Sequence, residues 1–162
     1  MVRVRNFPLL FLAFAAPVAA QQQALGIFGL WGAFAEKERC YAVSEARQRP
    51  RQGFGQAFAS AGWWPGRGVR GQLHFRLSQP KRPGSAVLLR VDDRTFQLVG
   101  GGSDAWAPDG RADAEIAAAM RSGLEMIVET RSERGVLVRD AYALRGAATA
   151  LDAAAIACSR RR

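Results

Sequence analysis

The sequence predicts a mainly β protein, a sandwich of short antiparallel strands with two short helical additions. Three observations carry this. Apolar and polar side chains alternate in several short runs, the period of half-buried strands. Gly, Pro and Asp clusters punctuate those runs at close intervals. Only two stretches, near 112–122 and 149–158, carry a helical period instead.

The chain opens on a segment expected to be removed on export. Arg3 and Arg5 precede an apolar run over residues 7–16, and Val18-Ala19-Ala20 supplies the small residues of a cleavage site. This is the pattern of a secretory signal, with cleavage expected before Gln21. An uncut N-terminal anchor is the alternative reading. Residues 21–162 then form one domain, large enough for a real core, and no second segment is apolar enough to span a bilayer.

In chain order, residues 28–34 and 39–44 read as a first strand pair, with Cys40 on the second strand. Residues 47–71 are rich in Gly and Arg, contain Pro50 and Pro65, and show no sustained period, so a long loop is expected there. Leu73, Phe75 and Leu77 then alternate with polar neighbours and predict a strand, with His74 on its polar face beside Arg76. Val87, Leu89 and Val91 share one face of the next strand. Asp92-Asp93 turns the chain into residues 95–99, completing a hairpin. Asp113 is the expected cap of a helix that carries Ile116 and Met120 on one face and stops at Gly123. Leu124, Met126 and Val128 alternate in a further strand. A turn at Glu133-Arg134-Gly135 leads into the last strand, residues 136–142. Thr149 with Asp152 resembles a capping box, and the helix behind it places Leu151, Ala155 and Cys158 on one stripe.

Cys40 and Cys158 are the only cysteines. In an exported chain an even count favours a disulfide. A zinc site needs more ligands than these two and the single His74 supply, and a redox pair is ordinarily Cys-x-x-Cys. The expectation is a structural bridge closing nearly the whole domain, with no metal.

The formal charge of +9 is localised. Between Ala46 and Arg82 lie Arg47, Arg49, Arg51, Arg67, Arg70, Arg76, Lys81 and Arg82 with no acidic residue among them. Trp63 and Trp64 sit in the same stretch. A basic patch with aromatics on an exported protein suits anionic glycolipid or an acidic envelope protein, and export argues against nucleic acid. A solvated loop, or a lid of Trp63 and Trp64 folded over the sandwich, is the plainer alternative.

Nothing in the chain predicts catalysis. The nucleophile elbow, the His-Glu-x-x-His zinc motif and the phosphate-binding loop are all missing, and Gly100-Gly101-Gly102-Ser103 reads as a loop. Asp92 and Asp93 read as solvated turn residues and His74 as a solvated strand residue. A non-catalytic protein without cofactor is expected.

The ordered motifs of the chain resemble the invasion-associated locus B family. They are Gly29-Leu30-Trp31 and Cys40-Tyr41-Ala42-Val43-Ser44, then Val91-Asp92-Asp93-Arg94-Thr95-Phe96-Gln97-Leu98 and Asp104-Ala105-Trp106-Ala107. Ala118-Ala119-Met120-Arg121-Ser122-Gly123, Arg134-Gly135, Asp140-Ala141-Tyr142-Ala143-Leu144-Arg145-Gly146 and the terminal Cys158 continue the series. The resemblance implies an exported proteobacterial envelope protein with an immunoglobulin-like β-sandwich. In it Trp31, Trp106, Met120, Gly123, Arg134, Gly135, Asp140 and Tyr142 would be structural motif residues. It implies a periplasmic binding or envelope-maintenance role, with a secreted or surface-displayed factor that contacts other cells as the alternative.

Overall fold

A computed structural model of the chain describes residues 22–48 and 55–161. The expected signal segment, Arg49 and Arg51 lie outside the described residues. The class is as predicted, mainly β with one inserted and one C-terminal helix. Strands β1 (Gln23–Phe28), β2 (Trp31–Ala35), β3 (Cys40–Glu45), β4 (Phe58–Trp64) and β5 (Val69–Arg76) follow one another as an antiparallel meander. Then come β6 (Val87–Val91), β7 (Arg94–Gly101), β8 (Asp104–Trp106), helix α1 (Gly110–Ser122), β9 (Glu125–Arg131), β10 (Leu137–Ala143) and helix α2 (Ala147–Ser159).

The ten strands form one ordered ladder, β1-β2-β3-β4-β5-β8-β7-β6-β9-β10. The first part of β7 pairs with β6 while Val99–Gly101 pair with β8, so β7 carries the ladder from one layer to the other. The likeness to an immunoglobulin domain is therefore one of layers. Its connectivity is plainer than a Greek key, because β1 to β5 pair in chain order.

The inner face of the larger layer is unusually small. Ala33, Ala35, Ala42, Ala59, Ala61 and Ala105 are all buried there, beside Trp31, Leu73 and Phe75. Helix α2 lies across β2 and β3 and presents Ala147, Ala150, Leu151 and Ala154 to them. Alanine against alanine lets helix and sheet backbones approach closely, and dispersion contacts rather than large side chains fill the space. The Cys40–Cys158 bridge fastens this helix to β3, with Cα atoms 5.7 Å apart and both residues buried. Trp31 is fully buried, and its indole N–H donates to the Ala143 carbonyl at 2.9 Å, tying β2 to the end of β10.

Several boundaries differ from those expected. The run 28–34 is not one strand but spans a two-residue turn at Gly29 and Leu30, between β1 and β2. Helix α1 begins earlier and is capped by Asp109, which accepts from the Ala112 N–H at 2.8 Å. Asp113 instead accepts from the Leu73 N–H at 2.8 Å, holding the helix to β5, and burial raises its carboxyl pKa despite that bond. Ile116 and Met120 are buried as predicted. Gly123 ends the helix in extended backbone; a Cβ there would lie 2.9 Å from both Leu144 Cδ1 and Val91 Cγ1, so space selects the glycine.

No capping box forms in α2. The helix starts at Gly146 in the left-handed region, Thr149 lies inside it, and Asp152 pairs with Arg121. Its inner stripe uses Ala154 where Ala155 was expected. Leu124 lies before β9 and is exposed, leaving Met126, Val128 and Thr130 to face the core. Asp92 makes the β6–β7 turn as predicted, and its carboxylate also accepts from the Leu124 and Glu125 N–H groups. No helix among the described residues is long and apolar enough to cross a membrane.

Candidate functional site

Of the expected loop over 47–71, the described stretch from residue 58 onward is folded, and residues 49–54 lie outside the described residues. Residues 58–64 form β4, an interior strand of the larger layer, and Val69 onwards forms β5. Between β4 and β5 the chain makes a tight tip in which Pro65–Arg67 form one 3-10 turn and Gly68 closes it at φ 67°. This tip gathers most of the predicted interaction residues.

Unbroken alternation along β4 sets Trp63 on the inner face with Ala59 and Ala61 and Trp64 on the outer face with Gly62, while the bulge here leaves its extra residue, Gly71, on β5. Trp63 turns inward and packs against the core edge, its carbonyl oxygen 3.6 Å from Cys158 Sγ. Trp64 turns outward, and its ring covers Gly62; a Cβ at Gly62 would lie 2.4 Å from that ring. The two indoles thus flank the tip on opposite faces.

Each borders a cleft. The first, about 570 Å³, lies between the tip and the end of α2 and is lined by Trp63, Pro65, Val69, Arg70, Cys158 and Arg161. The second, about 420 Å³, is lined by Trp64, Pro65, Gly66, Arg67 and Arg161 together with Lys37 and Glu38 of the β2–β3 turn. Arg161 borders both and donates to the Glu36 carbonyl oxygen.

The charge at this end is unbalanced. Glu36 is bound by Arg39 at 2.8 Å, a contact that holds its carboxyl below the ordinary range. Among the described residues Arg67, Arg70 and Arg161 form no ion pair, leaving these three and Lys37 against Glu38 alone. Arginine beside indole suits oxyanions such as phosphate or carboxylate, whose oxygens the guanidinium fork can bind in pairs.

The other predicted residues are placed elsewhere. Arg47 sits beyond the opposite end of β3, where its guanidinium pairs with Glu125 at 2.7 Å and its N–H donates to the Ala141 carbonyl. It belongs to the junction of β3 with β10. Trp31, Met120 and Tyr142 are core residues, and burial raises the Tyr142 phenol pKa strongly. Asp140 is buried on β10 and accepts from the Ser78 N–H at 2.9 Å; burial raises its carboxyl pKa. Gly135 occupies the β9–β10 turn at φ 78°, with Arg134 exposed beside it.

Trp106 is not in the core. It lies on the outer face of the larger layer, stacked on His74. His74 is half-buried and bonded to Asp104, a contact that the strand's alternation could not show because Asp104 is 30 residues away. Among the described residues no group of His, Cys, Asp or Glu could hold a metal ion.

No family model, curated protein or solved structure matches this chain.

Proposed function

We propose that this is a non-catalytic exported envelope protein of the invasion-associated locus B type, which binds an anionic glycolipid surface or an acidic envelope protein through the β4–β5 tip. The observation that carries the reading is the concentration of Arg67, Arg70 and Arg161, without ion-pair partners among the described residues, around two clefts walled by Trp63 and Trp64. Cationic groups draw in an anionic surface over about a Debye length, and indoles that are half apolar and half polar settle at its interface. A disulfide that closes the domain fits an oxidising compartment, and the signal pattern of residues 1–20 supplies the route.

Two experiments test it. Osmotic-shock fractionation should release the protein with the periplasmic contents; recovery from the medium or the cell surface would favour the secreted alternative. Vesicles containing a phosphate-bearing glycolipid should co-sediment with the wild type and not with Arg67→Glu/Arg70→Glu/Arg161→Glu. Equal sedimentation of both proteins would remove the tip from the account.

A further inference from the structure

The outer face of the larger layer carries a second constellation, remote from the tip clefts. Register sets Ser60, His74, Trp106 and Val99 side by side across β4, β5, β8 and β7. The next row is Phe58, Arg76, Asp104 and Gly101. Helix α2 packs on the opposite side of this layer, against its buried alanine face.

The polar members are tightly held. His74 Nε2 lies 2.9 Å from Asp104 Oδ1, and Arg76 Nη1 donates to Asp104 Oδ2 at 2.7 Å. Phe58 meets the His74 ring edge-on at 5.5 Å, and Trp106 stacks on it at 5.2 Å with 25° between planes. One face of the indole is therefore used. Across the ladder on the β7 side, Trp106 pairs with Val99 and Asp104 with Gly101. Apart from its chain neighbours, nothing lies within 4 Å of where a Gly101 Cβ would stand. The result is an open ledge with Val99 and Gly101 as floor, the Trp106 indole as wall and the Asp104–Arg76 pair at one end. Trp106 is 36% exposed and Val99 51%.

We propose that this ledge binds an uncharged sugar unit of an envelope polysaccharide. A pyranose has an apolar C–H face that can lie on an indole and a rim of hydroxyls that both donate and accept. The ledge offers the complement: one indole face, a carboxylate acceptor and a guanidinium donor. The charges also match, since Asp104 and Arg76 cancel and leave no net charge to select an ion. A peptide added as a strand would use a backbone edge, whereas these groups stand on the face of the sheet. Neighbouring strands are ~4.8 Å apart, so a chain crossing β7, β8 and β5 could place successive sugars over successive strands. This inference is independent of the tip and its anionic partner.

The test uses the purified protein with three probes: a hexamer of N-acetylglucosamine, a hexamer of glucose and insoluble peptidoglycan sacculi. Binding is read by tryptophan fluorescence for the soluble probes and by co-sedimentation for the sacculi. At least one probe should bind, and Trp106→Ala and Gly101→Val should each weaken it by about tenfold or more. Gly101→Val is the decisive variant, because its side chain enters open space and blocks the ledge while the melting temperature stays that of the wild type. Arg67→Glu/Arg70→Glu should bind sugar as the wild type does. The proposal is overturned by no binding of any probe at millimolar concentration, or by binding that Gly101→Val leaves intact. A dimer that dissolves in Trp106→Ala would also overturn it, since the ledge would then be an interface between copies.

Discussion

Replacing Cys158 with serine opens a covalent loop spanning 118 residues of sequence separation. On the chain-entropy relation, a loop of that length restricts the unfolded chain by about 5 kcal/mol at room temperature. The site favours a clean measurement. Cys158 Sγ lies 3.6 Å from the Trp63 carbonyl oxygen, so a serine hydroxyl finds an acceptor instead of being buried alone. The Cys40 left behind stays buried as a small apolar residue between its register partners Ala35 and Trp63. At roughly 2–4 °C per kcal/mol for a domain of this size, the melting temperature should fall by about 10–20 °C. Thermal unfolding followed by circular dichroism is the assay, and the reduced wild type should melt close to the variant. A shift below about 3 °C would refute the reasoning, because α2 would then be held to β3 by its alanine packing alone. A shift of the expected size has a functional consequence, since Ala155, Cys158 and Arg161 all line the first cleft.

Three other substitutions probe separate links. Gly146→Ala should prevent folding or cost more than about 3 kcal/mol. The residue sits at φ 93° and its Cβ would lie 1.8 Å from the Phe28 carbonyl oxygen, so limited proteolysis should find the variant open. Trp31→Phe leaves the Ala143 carbonyl without its 2.9 Å donor and removes buried ring volume, a loss of about 2–4 kcal/mol in denaturant melts. Asp140→Asn keeps an acceptor for the Ser78 N–H without burying a carboxylate. Burial raises the Asp140 pKa above its ordinary 3.8, so the folded state binds this proton more tightly than the unfolded state. Stability from that group is present at low pH and lost as pH rises through the raised value. The variant should therefore gain on the wild type as pH rises above the ordinary carboxylate range in parallel melts; a difference that does not change with pH would contradict it.

The parts of the fold legible in the sequence are those with large alternating side chains. Leu73 and Phe75, Val87 to Val91, and Met126 with Val128 gave their strands by period alone. β4 was hidden for a physical reason. Its core-facing residues are Ala59 and Ala61, small because α2 presses on that face, and its outward residues include Gly62 beneath Trp64. A strand written in alanine and glycine carries no hydrophobic period, and the neighbouring arginines completed the appearance of a loop. The usable signal was the matching alanine spacing of Ala33 with Ala35, which presents the same small face.

The candidate site was legible in composition but not in arrangement. Trp63, Trp64, Arg67 and Arg70 do meet at the tip, whereas Arg161 joins them only because the disulfide brings the end of α2 to that hairpin. Arg47 leaves the group because β3 carries it to the far end of the layer and into the pair with Glu125. The His74–Asp104–Trp106 cluster needed β8 to be placed between β5 and β7, a non-consecutive pairing that no local pattern encodes.

The salt dependence of binding tests the proposed function most directly. Affinity for vesicles containing a phosphate-bearing glycolipid should be measured from low to high ionic strength, for the wild type and for Arg67→Glu/Arg70→Glu/Arg161→Glu. The account predicts tight wild-type binding at low salt that falls steeply as screening rises, and a triple variant that is weak throughout. Binding that is independent of salt, or equally strong in the triple variant, would contradict it.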